Sequence, residues 1–532
     1  MGMWGMFAFD RGLTFETGFP VACQKSLHDC LIYDDTLRPY NSLFLGLGYL
    51  LGKGNGSYVT YQLLYGMLWW ARGILTFLIF RRIWPAYSIV AFLVGALVIV
   101  HASDVALNWI GQLHQFGFMA CLALAIYLLL ESWLAHKPGR AIFFLTASLL
   151  PLYICLWTYE SPYFLILSVP IILFALRPRL SRRLWLTAVV WYIIPAIYGY
   201  LQVEKYLVAR VSTYQTSVLR PDMSAAAITH DWILNLEQSL QFWRWAATMS
   251  PFGIAILAPA IAGLCAAAFI IGAYLLSPSG FLGVKLPPTA HLLVGFGIGV
   301  MILLLSFPVY LLLAGNTIFW RTQMLSGFGA AITLGAGILL LTKLMPTRHY
   351  RALLAIAACS VIVFNGVRAG VYLQGFHAYR WQIHRSVMEQ IAHLVPNVEK
   401  QTLILLTNLP KAYENDPFGA ALWFDFPIQL LYPDRTTVGH FIYADGTQPT
   451  DNSWSFTAKG MKWDGKGVTE QFNQVPYSQI IALRYESNGK ISLLKQFPTA
   501  LLPQPFNTST YAPQTRITHD FISNRSIRMF AR

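Results

Sequence analysis

Up to about residue 370 the chain alternates between apolar blocks of about twenty residues and short polar breaks, and that is the length a helix needs to cross a hydrocarbon core. Blocks at about 58–80, 86–101, 115–135, 141–157, 161–177, 184–203, 251–276, 291–314, 325–343 and 351–370 read as about ten spans. After residue 372 the pattern changes. Glycine, proline, Asn and Asp become frequent, and the apolar runs shorten to strand length. Tyr379 to Leu394 reads as an amphipathic helix, and Thr402 to Thr407 as a buried strand ending at Asn408-Leu409-Pro410. Ile480 to Tyr485 and Lys490 to Leu494 read as a hairpin around Ser487-Asn488-Gly489. The expected fold class is an α-helical polytopic membrane protein with a small C-terminal α/β domain. The expected divisions are a segment 1–57, a transmembrane domain 58–372 and a domain 373–532.

Composition supports a membrane protein. Of 532 residues, 56% are hydrophobic and 12% charged, with mean hydropathy +0.49, whereas a soluble domain is about a quarter charged. The net charge of +14 does not point to nucleic acid, because its basic residues cluster in every second loop. Arg81 and Arg82 follow the first span, Lys137 and Arg140 the third, and Arg177, Arg179, Arg182 and Arg183 the fifth. Lys285 follows the seventh, and Lys343, Arg348 and Arg351 the ninth. Such loops stay in the cytoplasm, which places residues 1–57 and the C-terminal domain on the outer face of a multi-pass cell-membrane protein. Residues 1–57 contain no span. Asn41 to Leu51 is too short to cross and suits a helix lying at the membrane surface. An outer N-terminal segment with no span before it leads us to expect a further transmembrane helix preceding this sequence.

Ionisable groups at a membrane edge are costly and therefore functional candidates. On the outer face these are Asp34, Asp35, Arg38, His101, Asp104, His114, Glu160 and Arg321. A carboxylate there can take a proton from an acceptor hydroxyl or amine, and an arginine can hold a phosphate. Each also has a plainer reading. Asp34 and Asp35 precede Pro39 and suit a turn; Asp104 and Glu160 suit helix caps. Arg321 beside Trp320 suits an interfacial anchor, and the histidines suit interface packing. Arg72 lies within a span, where it either pairs with a carboxylate or extends to the interface. Cys121, Cys155, Cys265 and Cys359 lie in apolar blocks and read as small packing residues. Cys23 and Cys30 are either a disulfide or two separate thiols.

The order Asp34-Asp35-Thr36-Leu37-Arg38-Pro39, then His101-Ala102-Ser103-Asp104 running to Trp109-Ile110-Gly111, then Thr158-Tyr159-Glu160-Ser161, resembles the GT-C membrane glycosyltransferases. Within them it is most similar to the protein-mannosyltransferase and aminoarabinose-transferase type. The resemblance covers residues 30–180 and the later spans in outline. Three positions depart from the family pattern: Ala102 stands for proline, Tyr159 for lysine and Gln112 for arginine. The resemblance implies transfer of a sugar from a polyprenyl-phosphate donor to a lipid, glycan or protein acceptor at the outer face. It implies Asp34 or Asp35 as catalytic base and Asp104 as a second catalytic carboxylate. Arg38, His101, Glu160 and Arg321 would bind substrate, with Arg321 at the lipid phosphate. No metal is required if arginines neutralise the phosphate. Some members use a divalent cation, and Asp34, Asp35 and Asp104 are the carboxylates for one. A polysaccharide polymerase or ligase is the alternative within the same class, kept open by the basic loop at about 205–250 with Lys205, Arg210, Arg220 and Arg244. A transporter or noncatalytic membrane partner is the alternative outside it. A transporter would be expected to show inverted repeats, and none is evident.

Overall fold

The structure is a computed structural model. It describes residues 26–32, 38–51, 58–101, 113–176, 182–205, 224–241, 253–276, 286–312, 320–413, 418–419, 421–432, 436–449, 454–463, 474–498 and 511–518. The chain divides into two compact units, Ala22–Gly375 and the portion from Phe376 onward.

The first unit is helical: α1 (Leu27–Leu31), α2 (Leu43–Leu51), α3 (Tyr58–Ile83), α4 (Ser88–Val100), α5 (Leu113–Leu134), α6 (Pro138–Thr158), α7 (Tyr163–Leu176), α8 (Arg182–Val203), α9 (Ala225–Leu240), α10 (Ala258–Leu275), α11 (Thr289–Leu305), α12 (Pro308–Leu311), α13 (Ser326–Thr342) and the part of α14 (Arg348–Leu394) up to Gly375. Among the described residues seven stretches are long and apolar enough to cross a membrane, and the apolar parts of α4, α7 and α13 are shorter helices. The chain is an integral membrane protein, and each of the ten apolar blocks is a helix.

One expectation about helices needs correction. The amphipathic stretch from Tyr379 is not a separate element but the end of α14, which runs 47 residues from Arg348 to Leu394. No proline separates the two stretches, and the isolated Gly370 and Gly375 are tolerated inside a helix, so the hydrogen-bond ladder continues through both. The stretch at 43–51 is a nine-residue helix, as expected too short to cross a membrane, and one face of it packs into the unit. Phe44 is buried, and its ring fills the space a side chain at Gly117 of α5 would need, so that a Cβ there would collide with the ring. Gly46 lies against the Cys30 carbonyl of α1, where a Cβ would come within 2.3 Å.

Helix α5 is the most enclosed span, with 72% of its apolar window buried. Helices α11 and α13 meet where Gly299 and Gly329 admit close backbone approach; a Cβ on either would stand 2.6 Å from a main-chain nitrogen of the other helix. Two contacts mark one end of the bundle. Arg82 at the end of α3 pairs with Glu131 near the end of α5 (2.5 Å). Lys343 at the end of α13 donates to the Pro287 carbonyl before α11 (2.8 Å). The beginning of α5, the end of α4 and the α6–α7 link belong to the opposite end.

The second unit contains β1 (Asn397–Val398), β2 (Leu403–Leu409), helix α15 (Leu422–Leu431), β3 (Val438–Tyr443), β4 (Trp454–Thr457), β5 (Gly460–Trp463), β6 (Gln474–Pro476), β7 (Ile480–Tyr485), β8 (Ile491–Leu493) and β9 (Ile517–Thr518). A four-stranded sheet runs β3-β2-β7-β8. Strand β2 is parallel to both β3 and β7, and β7 pairs antiparallel with β8. The period-two alternation of β2 serves two cores. Ile404 and Leu406 pack with Phe424, Ile428 and Phe441, while Leu403 and Leu405 pack with Ile442, Trp454 and Met461. The β7–β8 hairpin turns through Gly489 at φ +80°, a left-handed conformation glycine adopts without cost. Strands β4, β5 and β6 form a separate antiparallel sheet, and β9 pairs with β1.

Candidate functional site

Glu160 lies in the link between α6 and α7, which is too short to leave the bundle. Tyr159 ends α6 by donating its N–H to the Cys155 carbonyl (3.1 Å), and the Glu160 carbonyl accepts from the Tyr163 N–H (3.1 Å) as α7 begins. The backbone of Glu160 is thus committed to the helix junction, and its carboxylate points to Arg38. Arg38 Nε donates to Glu160 Oε2 (2.8 Å), and Nη2 donates to Oε1, a two-pronged match of guanidinium and carboxylate. The Arg38 and Glu160 side chains are 18% and 26% exposed. The Arg38 guanidinium also lies over the Tyr159 ring, 4.5 Å from its centre. Burial lowers the guanidinium pKa, but Glu160 beside it outweighs burial, and the net shift is upward. Arg38 is therefore a fixed charge.

The chain after Arg38 is sewn to the same place. The Tyr40 N–H donates to the Trp157 carbonyl (3.3 Å), and the Tyr40 ring meets Tyr153 edge-on at 5.7 Å. Tyr159 in turn stacks on Phe118 (5.4 Å) and lies near His114 (5.7 Å) and Tyr310 (6.4 Å). A cavity of about 430 Å³ opens beside the pair, with Arg38, Glu160, Tyr163, Tyr198, Gln202 and Leu312 among its walls. That is within the size range of small-molecule sites. The arginine–glutamate pair is neutral overall, so its main effect is to fix Arg38 and the chain that follows it against the α6–α7 junction.

A second polar cluster gathers where α4 ends. His101 caps α4 and is buried, and its Nε2 donates to the Ser239 carbonyl of α9 (3.0 Å). The Ser239 hydroxyl lies within hydrogen-bond distance of the Asn235 carbonyl (2.9 Å), the Ser326 hydroxyl (2.7 Å) and the Gln323 side-chain carbonyl. Gln323 Nε2 donates to Asn235 Oδ1 (2.7 Å), and the Thr322 hydroxyl donates to the same oxygen (3.3 Å). Gln323 and Thr322 belong to the single turn Trp320–Gln323, which carries Arg321. Arg72 is buried within α3, with its guanidinium 4.5 Å from the centre of the Trp69 ring.

Of the residues singled out by sequence, Arg38 and Glu160 come together, and His114 joins them through Tyr159. His101 sits instead in the α9 cluster. The backbone of Arg321 lies in a turn held by that cluster. Asp34, Asp35 and Asp104 lie outside the described residues, as does Cys23. Cys30 is disulfide-bonded, while Cys121, Cys155, Cys265 and Cys359 are free. Among the described residues no group of His, Cys, Asp and Glu could hold a metal ion. Part of the basic 205–250 loop is helix α9. Sequence reasoning missed Tyr159 as a platform and missed Asn235, Ser239 and Gln323 altogether. A signal for the latter was present: Asp231, Asn235 and Ser239 recur every four residues and so share one face of a helix.

No protein-family model matches the chain, and no curated protein matches it. Among solved structures it is similar to ArnT from Cupriavidus metallidurans in the apo state, at 12% identity and a TM-score of 0.37. It is likewise similar to ArnT from Cupriavidus metallidurans bound to undecaprenyl phosphate, at 12% identity and a TM-score of 0.39. Each likeness covers 76% of this chain and 77% of the other.

Proposed function

We propose that this protein is a membrane glycosyltransferase of the GT-C type that uses a polyprenyl-phosphate sugar and works at the outer face. The observation that carries this reading is the Arg38–Glu160 pair beside the cavity. It ties the chain immediately after Asp34 and Asp35 to a helix junction at one end of the bundle. In this reading Asp34 or Asp35 takes the proton of the acceptor hydroxyl or amine. The acceptor atom bonds to the anomeric carbon, and the bond from that carbon to the phosphate oxygen breaks. The polyprenyl phosphate leaves with the bonding pair, and Arg321 holds its charge. Asp104 is the second carboxylate facing the substrates. Arg38 and Glu160 are positioning residues. The fork of Arg38 is directed at Glu160, so the lipid phosphate falls to Arg321.

Two observations support the outer face. Every second loop is basic, and Cys30, four residues before Asp34, is disulfide-bonded, a state that persists in oxidising compartments. By the same parity the C-terminal domain 373–532 is extracytoplasmic and holds or selects the acceptor. The test is transfer of radiolabelled sugar from a polyprenyl-phosphate donor by membranes carrying wild type, Asp34→Asn or Asp35→Asn. One of the two variants should lose about a hundredfold or more. Equal transfer by all three would remove the carboxylate base.

A further inference from the structure

The most deeply buried positions of helix α9 are polar, and its apolar residues Ile228, Leu234, Leu236 and Leu240 are only partly buried. Its buried positions are Asp231, Asn235 and Ser239, while Ile233 is 58% exposed. A helix that only filled space would bury its apolar stripe. What the buried stripe does instead is hold polar partners. Through Asn235 and Ser239 it engages both side chains at the end of the turn Trp320–Gln323, Ser326 at the start of α13, and His101 at the end of α4. Hydrogen bonds of defined direction fix register and rotation, whereas apolar contacts tolerate sliding. The residue between Trp320 and this bonded pair is Arg321.

We infer that Asn235 and Ser239 are positioning residues, and that α9 sets affinity for the donor's phosphate by holding the Arg321 turn and His101 in one register. The inference rests on the reading above, in which Arg321 takes the lipid phosphate. It adds that the phosphate site is built by an element far from it in sequence. It further assigns the polar stripe of α9 to substrate affinity and not to membrane contact.

The test uses the full chain in lipid nanodiscs, with undecaprenyl phosphate as the binding probe and sugar transfer as the second readout. Asn235→Ala should weaken undecaprenyl phosphate binding and raise the donor KM about tenfold, with kcat within about threefold. Gln323→Ala, which removes the same bond from the turn's side, should do likewise and serves if the first variant does not fold. The decisive arm is the double variant. If α9 acts through Arg321, adding Asn235→Ala to Arg321→Ala should add little further loss. A tenfold loss that persists in the Arg321→Ala background would overturn the inference, as would unchanged binding in both single variants. Wild type that binds no undecaprenyl phosphate would remove the parent reading, and this inference with it. Wild type that binds while the variants bind equally well would remove this inference alone.

Discussion

Two carboxylates, Glu160 part-buried in the first unit and Asp425 buried in the second, are stabilised in opposite ways. Glu160 meets a guanidinium on two nitrogens and lies beside a cavity. Asp425, on α15, is 9% exposed and accepts from neutral groups: the Gly439 N–H on Oδ1 (2.7 Å) and Gln429 Nε2 on Oδ2 (2.8 Å). Burial pushes Asp425 up to about 7, against the lowering effect of those two bonds. A carboxylate matched to a guanidinium on two nitrogens is suited to fixing a segment of chain. A carboxylate held by dipoles alone takes up a proton near neutrality, and its bonds serve as a joint between helix and strand. The first lies beside a cavity, the second between a helix and a strand.

The sharpest way to break this contrast is to remove the charge on Glu160. Glu160→Gln leaves Arg38 largely enclosed without its counter-ion, a loss of about 3 kcal/mol, and loosens the hold on Arg38, which follows Asp34 and Asp35 in the chain. Sugar transfer should fall roughly a hundredfold, with thermal stability reduced in the same preparation. Transfer within twofold of wild type would mean that the pair does not serve the site. The matched control lies at the other end of the bundle. Glu131→Gln leaves Arg82, which is 51% exposed, free to be hydrated, so the cost should stay under about 1 kcal/mol and transfer should be unaffected.

The disulfide-bonded Cys30 lies on the N-terminal side of Asp34 and Asp35, as Arg38 lies on the C-terminal side, so loss of that bond should have a smaller effect of the same kind. Reduction of wild type with a phosphine should lower stability by about 2 kcal/mol and cut transfer less than Glu160→Gln does. Because Cys121, Cys155, Cys265 and Cys359 are already free, the change can be assigned to the Cys30 bond. If reduction is silent while Glu160→Gln is severe, the loop is held from the Arg38 side alone.

What could be read from the sequence follows from the kind of signal each element leaves. The ten apolar blocks and the 480–494 hairpin were legible because hydrophobic length and turn residues are local properties. So was the nomination of Arg38 and Glu160, since charged residues at a membrane edge stand out one by one. Their bidentate match was not legible, because 122 residues separate them and no local pattern encodes such a contact. The parallel pairing of β2 with both β3 and β7 was hidden for the same reason. The α9 cluster was missed differently. Asn, Ser and Gln carry no charge, so a search for ionisable groups passes over them even where they are buried together.

The smallest predicted effect tests the dipole side of the contrast. The folded pKa of Asp425, about 7, lies above the ordinary 3.8. Between those values the folded protein keeps a proton that the unfolded chain releases. The stability this contributes is full below about pH 4 and is lost as pH rises through about 7, at no more than about 1.4 kcal/mol per pH unit. His440 on β3 has the opposite sign, since burial lowers it to about 4 and its contribution fades as pH falls from about 6.5. Comparing Asp425→Asn with wild type cancels His440, which both carry. Amide exchange across Val438–Tyr443, corrected for the intrinsic pH dependence, should show wild type losing protection between pH 5 and 7 relative to the variant. The difference should level off above about pH 7.5. Parallel profiles would mean that Asp425 keeps one charge state throughout, and that neutral donors alone can hold a buried carboxylate as firmly as Arg38 holds Glu160.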